Sequence, residues 1–269
     1  MKNNSLRLPY FFKPNFKTEL IRVGKENDGG YCIPKESLKN TSILYSFGLS
    51  DDWSFEKQFR EQSGAKVVCV DYSVTKLFWF KRFIKDLIEF FLLKFRTKEQ
   101  FQRFFSFFSY NLFFNNTDPI HIKSFFGSKG YYDPNIKNVE IIDMDVILKK
   151  WIDKNFFLKI DIEGNEYRIL DQIIKYQERL SGLVIEFHNC DLMLEKIKQF
   201  VESLNLDLVH IHVNNFGITT KDCFPTVIEL TFSPKQYNSK REENESDFPV
   251  KLLDQPNDKK EKDLNISFF

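Results

Sequence analysis

Neither sign of charge prevails in this sequence: 39 Lys and Arg stand against 38 Asp and Glu, a net charge of +1. That balance removes any global reason to expect a nucleic-acid or acidic partner. Cys32, Cys69, Cys190 and Cys223 are widely spaced, without a Cys-x-x-Cys pair. Such spacing excludes a disulfide framework or a zinc site and leaves reduced thiols of an intracellular protein. No uncharged run approaches the ~20 residues needed to span a bilayer. Met1 to Arg7 leads into no long apolar segment, so no signal peptide is expected and the chain is assigned to the cytoplasm. The Gly-x-Gly-x-x-Gly fingerprint is missing too, which argues against a pyrophosphate site for a nicotinamide cofactor.

What is present suffices for a core. Hydrophobic residues make up 42% of 269 positions, which suits one large α/β domain with an insertion, or two small domains. Aromatics reach 16%, with 31 Phe. Lys, Asn and Ile are abundant as well, and an AT-rich coding sequence produces the same bias, so the Phe count alone is given no role.

One stretch organises the rest, Phe156 to Leu170, with a strand in front, a helix behind and Gly164 at the turn. Side chains alternate along a strand, so Lys159, Asp161 and Glu163 share a face opposite Ile160 and Ile162. Three charges inside a covered sheet are costly. The cost disappears if Asp161 and Glu163 lie at the strand's carboxyl end, where an open α/β sheet has its ligand crevice. A solvated edge strand is the alternative.

Before that stretch, the first forty residues read as irregular, punctuated by Pro9, Pro14 and Pro34. Asp28-Gly29-Gly30-Tyr31 is a tight turn or a close approach of backbone to ligand. Ser42 to Phe47 is a first strand broken at Gly48, and Ser50 to Glu56 starts a helix. Backbone N–H groups at such a turn meet a nucleotide-like ligand, which makes Phe47, Gly48, Leu49 and Ser50 candidates for cofactor binding. Lys66 to Asp71 is a second strand ending in an acid. Asp71 stands where doubly wound folds hold ribose hydroxyls, and Tyr72 beside it is placed to stack on an adenine face.

Residues 75–116 form a Phe-rich insertion. Leu77, Phe80, Ile84, Leu87, Phe91 and Phe95 follow helical spacing, as do Phe101, Phe104, Phe105, Phe108 and Leu112. The first helix carries Lys76, Lys81, Arg82, Lys85, Lys94, Arg96 and Lys98 against Asp86 and Glu89. A basic amphipathic helix over 76–98 suits peripheral contact with the inner face of a membrane. A hairpin packed on its own domain, or on a second subunit of a homo-oligomer, explains the same stripe.

A third strand is expected over Ile120 to Phe126, ending at Gly127. Val139 to Trp151 then gives an apolar segment and a helix, with Asp143 and Asp145 near its start. Leu183 to His188 is a fifth strand with Glu186 and His188 on one face. Leu208 to Asn214 and Val227 to Phe232 supply two more. His210 and His212 share a face but lack a third ligand at zinc spacing. Glu186, His212 and Asn214 are instead read as a polar wall for the substrate. The tail, 239–269, looks disordered by composition, but Phe248-Pro249 and Leu252 to Asn257 interrupt that pattern, and it is read as packed on a single domain.

Strands alternating with helices imply a mostly parallel doubly wound sheet. Lys159-Ile160-Asp161-Ile162-Glu163-Gly164-Asn165-Glu166, followed by Ile185-Glu186-Phe187-His188, resembles the FkbM-type S-adenosylmethionine-dependent methyltransferases. Asp28-Gly29-Gly30-Tyr31, Ser46-Phe47-Gly48, Ser54-Phe55-Glu56 and Leu253-Asp254-Gln255-Pro256-Asn257 are similar to a bacterial subgroup of that family. The resemblance implies a Rossmann-like class I fold of seven strands, with S-adenosylmethionine over the carboxyl ends of the first, second and fourth. Gly29, Gly30 and Asp161 join the cofactor-binding set. It further implies O-methylation of a sugar, glycan or related polyol. The chain departs from the pattern in its single-glycine cofactor loop and in the insertion.

A sugar hydroxyl is a poor nucleophile and needs a base or a metal ion. His188 has a suitable intrinsic pKa for the base, with Asp161 and Glu163 as catalytic neighbours. The same acids could hold Mg²⁺ through oxygen ligands, which is the less favoured route because no compact aspartate-rich loop is present. His188 could also cap a buried polar network. A non-catalytic scaffold that binds a partner or membrane through the Phe-rich helices is the alternative function.

Overall fold

The computed structural model describes residues 5–92, 105–114, 117–128, 139–149, 154–238 and 241–269. Among them, seven strands build one sheet: β1 (Ile43–Phe47), β2 (Lys66–Val70), β3 (Ile120–Ile122), β4 (Phe156–Ile160), β5 (Leu180–His188), β6 (Leu206–Val213) and β7 (Val227–Pro234). Across the sheet they run β6-β7-β5-β4-β1-β2-β3. The first five are parallel to one another, and β7 is antiparallel to both β5 and β6. This is the seven-stranded, mostly parallel Rossmann-like architecture expected from the sequence.

The helices are α1 (Lys35–Asn40), α2 (Ser54–Ser63), α3 (Lys76–Phe91), α4 (Ser106–Phe113), α5 (Met144–Leu148), α6 (Leu170–Lys175) and α7 (Cys190–Ser203). Parallel strands covered on both faces need apolar side chains at successive positions, and every residue of β1 and β4 is buried. Alternation divides them between two cores. Tyr45, Phe47, Leu158, Ile160, Ile185 and Leu230 pack with α5, α6 and α7 on one side. Leu44, Phe157, Val184 and Cys69 pack with Phe55 and Phe59 of α2 on the other.

That second face turns polar toward the carboxyl ends. Register sets Ser46 beside Lys159, Glu186 beside Glu229, and Glu229 beside His212. The face is closed by the Leu20–Val23 and Tyr31–Pro34 strands, which pair antiparallel, and by the tail. The first forty residues are therefore more regular than expected: this strand pair leads directly into α1. A further short strand, Leu6–Leu8, lies parallel to Ile266–Phe268.

The third strand is shorter than expected. It stops at Ile122, and Phe125–Phe126 pairs instead with Ile141–Ile142. This turns Phe126 onto Phe47, their ring centroids 3.6 Å apart. Asp143 caps α5 by accepting from the Val146 N–H at 2.9 Å.

In the insertion, α3 and α4 pack through an aromatic cluster. Trp79 lies 5.0 Å from Tyr110 and 6.0 Å from Trp53 between ring centroids. Of the stripe expected for a membrane face or a packing face, Leu77, Phe80, Ile84 and Phe91 are exposed and Leu87 is half-buried, and Ile88 beside it is exposed as well. Phe95, Phe101, Phe104, Lys94, Arg96, Lys98 and Trp151 lie outside the described residues. No helix among the described residues is long and apolar enough to cross a membrane.

Candidate active site

A cleft of about 490 Å³ opens over the carboxyl ends of β1, β2 and β4. Its floor is the Gly48 turn. Gly48 has φ +83°, and a Cβ there would lie 1.5 Å from the Asp161 carbonyl oxygen. β1 and β4 thus meet backbone to backbone, the Asp161 N–H donating to the Phe47 carbonyl at 2.9 Å. Asp71 braces this turn. Its Oδ2 accepts from the N–H groups of Leu49 (2.9 Å) and Ser50 (2.8 Å). Its Oδ1 accepts from the N–H and hydroxyl of Ser73, both at 2.7 Å. Burial would raise the carboxyl pKa, but the bonds from Ser73, Ser50 and Leu49 outweigh it and hold the pKa below its ordinary value.

Tyr72 and Phe125 form an aromatic wall beside Asp71, 5.5 Å apart between ring centroids. On the opposite side stand Asp28 and Gly29. Gly29 has φ +86° and crowds the Asp52 carboxylate, so the Asp-Gly-Gly turn packs directly against the helix-start loop. The lining takes in the expected Gly29, Gly48, Leu49, Ser50, Asp71, Tyr72, Asp161 and Glu163. Phe47 and Gly30 are buried behind it.

Charge distinguishes this cleft. Asp28, Asp51 and Asp52 line one side, Glu56 and Asp71 the floor, and Asp161 and Glu163 the rim, against two lysines, Lys25 and Lys159. Lys159 is buried, donates to the Gly48 carbonyl at 2.6 Å and lies 3.9 Å from Asp161 Oδ2. Burial would lower its pKa, but Asp161, Glu56 and Glu186 together raise it, so it remains a cation. Glu56 is 1% exposed. Its Oε1 accepts from the Ser46 hydroxyl, while its Oε2 is buried without a partner among the described residues.

At the rim the strand parity expected for Asp161 and Glu163 does not continue. β4 ends at Ile160, and Glu163 sits in a turn at φ +54° with its side chain 86% exposed. The turn is tied by Glu166, whose buried Oε1 accepts from the N–H groups of Ile162 and Gly164 at 3.1 Å each. It is this turn that carries Glu163 to within 3.5 Å of His188 Nε2. Ile160 pairs with Ile185, which sets Asp161 beside Glu186 and His188.

His188 differs from expectation in charge. Burial disfavours its cation, but the bond to Glu166 and the nearby Glu166, Glu186 and Asp161 carboxylates push its pKa up to about 9. It is an imidazolium at neutral pH and donates; it does not stand ready to take a proton. Glu186 is buried, and burial together with Asp161 and Glu229 raises its carboxyl well above the usual range.

Of the residues read as a substrate wall, His212 and Asn214 lie behind the cleft lining. Asn214 is buried and donates to Glu186 Oε1 at 2.9 Å. His212 is 2% exposed and faces Asp263, 3.1 Å away, and Glu229, 3.5 Å away. The tail takes the place expected for an acceptor: His210 pairs with Asp254 at 3.1 Å, and Asn257 donates to Glu229 at 3.0 Å.

Sequence reasoning assigned no role to Tyr31, Glu56, Lys159 or Glu166. Each stood inside a stretch that had been singled out, so the signal was present; what was missing was the pairing across elements that turns a charge inward.

No family model matches the chain, and no curated protein matches it either. Solved structures with a similar fold include a precorrin-6y methyltransferase from Geobacter metallireducens, at 11% identity and TM-score 0.37, over 74% of this chain and 83% of that one. A fibrillarin pre-rRNA processing protein from Methanococcus jannaschii aligns at 9% identity and TM-score 0.36, over 73% of this chain and 68% of that one. A 16S rRNA adenine methyltransferase from Catenulisporales acidiphilia aligns at 11% and 0.30, over 79% and 96%. At these values the likeness carries no argument about what this chain does.

Proposed function

We propose that this protein is an S-adenosylmethionine-dependent methyltransferase of the FkbM type, acting on a hydroxyl of a sugar, glycan or related polyol. The observation that carries the reading is the charge of the cleft. Seven carboxylates against two lysines favour a cationic sulfonium and repel the pyrophosphate of a nicotinamide cofactor or nucleotide sugar. The unpartnered Glu56 Oε2 is an acceptor for the cofactor's ammonium group, Lys159 a partner for its carboxylate, and Tyr72 with Phe125 a slot for adenine. Asp71, directly after β2, is the ribose anchor, the ribose hydroxyls displacing bonds it accepts from Ser73 or the Gly48 turn.

Methyl transfer then needs an acceptor hydroxyl in line with the sulfonium carbon. Asp161 and Glu163 stand at the rim to hold it. The oxygen–carbon bond forms as the carbon–sulfur bond breaks, its electron pair passes to sulfur, and the hydroxyl proton leaves to a carboxylate or to water. Calorimetry with S-adenosylmethionine, S-adenosylhomocysteine and NAD⁺ tests the cofactor: the first two bind one per chain and NAD⁺ does not. Binding of NAD⁺ in preference to both overturns it. Transfer of labelled methyl groups to glycans tests the acceptor class.

A second reading, compatible with the first, concerns α3. Leu77, Phe80, Ile84, Ile88 and Phe91 form an exposed stripe at helical spacing, bordered by the exposed Lys81 and Lys85. We infer that this face lies on an anionic lipid surface, apolar groups inward and lysines at the headgroups.

A further inference from the structure

Asp161, Glu186 and His188 each offer one ligand atom, and the three atoms lie within 4.8 Å of one another. All three stand on or directly after sheet strands, and His188 is braced from behind. His188 Nδ1 lies 3.2 Å from Glu166 Oε1. A carboxylate can only accept there, so Nδ1 carries the proton and Nε2 is the nitrogen turned toward Glu186, 3.8 Å away. This is how imidazole ligands of metals are oriented, the far nitrogen donating to a carboxylate. Asn214 donates at 2.9 Å to that same Glu186 oxygen, Oε1.

The Tyr31 hydroxyl lies 3.1 Å from Asp161 Oδ2 and 3.3 Å from Glu186 Oε2. A tyrosine has one hydroxyl proton, so it can donate to only one of these two oxygens at a time. Lys159 lies 3.9 Å from Asp161 Oδ2, beyond hydrogen-bond reach, and donates to the Gly48 carbonyl at 2.6 Å. Two carboxylates gathered this closely repel each other, and a cation between them relieves that repulsion.

We propose that a divalent cation binds between Asp161, Glu186 and His188, at the rim of the cleft, displacing the proton on His188 Nε2 to solvent. Two carboxylates and one imidazole suit Mn²⁺, or Mg²⁺ with a poorer third ligand. An octahedral ion held by three protein atoms keeps positions open for water and for the acceptor oxygen. Its chemistry would be that of a Lewis acid, lowering the pKa of a bound hydroxyl so that the proton leaves to water at the cleft mouth. The inference rests on methyl transfer at this same cleft for its purpose, though not for its geometry. It reverses the preference drawn from the sequence, where a metal was the less favoured route.

Manganese alone is the probe. The full chain is stripped with chelator and titrated with Mn²⁺, reading free aquo ion by electron paramagnetic resonance, while S-adenosylmethionine binding is measured separately by calorimetry. One Mn²⁺ binds per chain, and Glu186→Gln and His188→Ala each weaken it at least tenfold. In crystals soaked with Mn²⁺, an anomalous peak lies between the three side chains, which locates the ion even if a variant fails to fold. Absence of stoichiometric binding by the wild type, or a peak elsewhere, overturns the proposal. If S-adenosylmethionine binds and Mn²⁺ does not, the cation site falls and the methyltransferase reading stands. If Mn²⁺ binds at the three residues and S-adenosylmethionine does not, the cofactor reading falls alone.

Discussion

Gly48 admits no larger residue, since its Cβ would occupy the Asp161 carbonyl. Gly48→Ala should cost roughly 1–3 kcal/mol from the positive φ alone and more from the clash, read as a lower urea midpoint. Asp71 combines four accepted hydrogen bonds with the position of a ribose anchor. Asp71→Ala should weaken S-adenosylmethionine binding by about 1.5–3 kcal/mol, the worth of a charged hydrogen bond; unchanged affinity in a folded variant removes the assignment. Lys159 is buried among Glu56, Asp161 and Glu186. Lys159→Met leaves those acids without their cation and should destabilise by about 3–5 kcal/mol, seen in equilibrium unfolding. Both Gly48 and Asp71 were legible in the sequence, because a glycine after one strand and an acid after the next are local patterns. The imidazolium of His188 was not, because it depends on Glu166, 22 positions away and hidden under a turn.

Strands and helices were more legible than their ends. Continuous apolar runs located all seven sheet strands, but Ile120 to Phe126 reads as one strand, whereas Phe125–Phe126 leaves to pair with Ile141–Ile142 and Phe126 stacks on Phe47. Periodicity likewise found α3 but left its stripe open between a membrane face and a packing face; the stripe points outward. Trp79, one position from Phe80, supplies the packing face through Trp53 and Tyr110, and a helix rich in aromatics all round offers no unique inside. The outward stripe gives a direct expectation. The chain should sediment with phosphatidylserine vesicles at low salt and release as salt shortens the screening length toward ~8 Å. Phe80→Ser with Ile88→Ser should abolish the binding, and neutral phosphatidylcholine vesicles should not support it. Binding absent at low salt, with dimers in sedimentation velocity, would assign the stripe to a second copy of the chain.

The tail joins the whole molecule into one titrating unit. His212 has its pKa well above the ordinary 6.5, burial being outweighed by Glu229 and Asp263. Its stabilising contribution is full below pH 6.5 and is lost as pH rises through the raised value. Asp254 runs the other way: burial is outweighed by His210, and its pKa falls from 3.8 to about 2. That contribution is present above pH 3.8 and lost as pH falls toward 2. Melting temperature should therefore hold between about pH 4 and 6.5 and decline on both sides. Asp254→Asn should flatten the acid limb and His212→Gln the alkaline one; limbs unmoved by either variant would mean that other groups govern them. The same tail has a temporal consequence. The loop bearing Asp28 and Gly29 is fastened by Asn27, whose N–H donates to Gln255 Oε1 and whose side chain donates to the Pro256 carbonyl, positions 228 and 229 residues downstream. On the ribosome, every strand of the sheet is made before those fasteners emerge. A nascent chain can thus own its scaffold while its cleft still lacks one wall, which is fastened only once synthesis has passed the end of the last sheet strand, Pro234, by the 22 residues to Pro256.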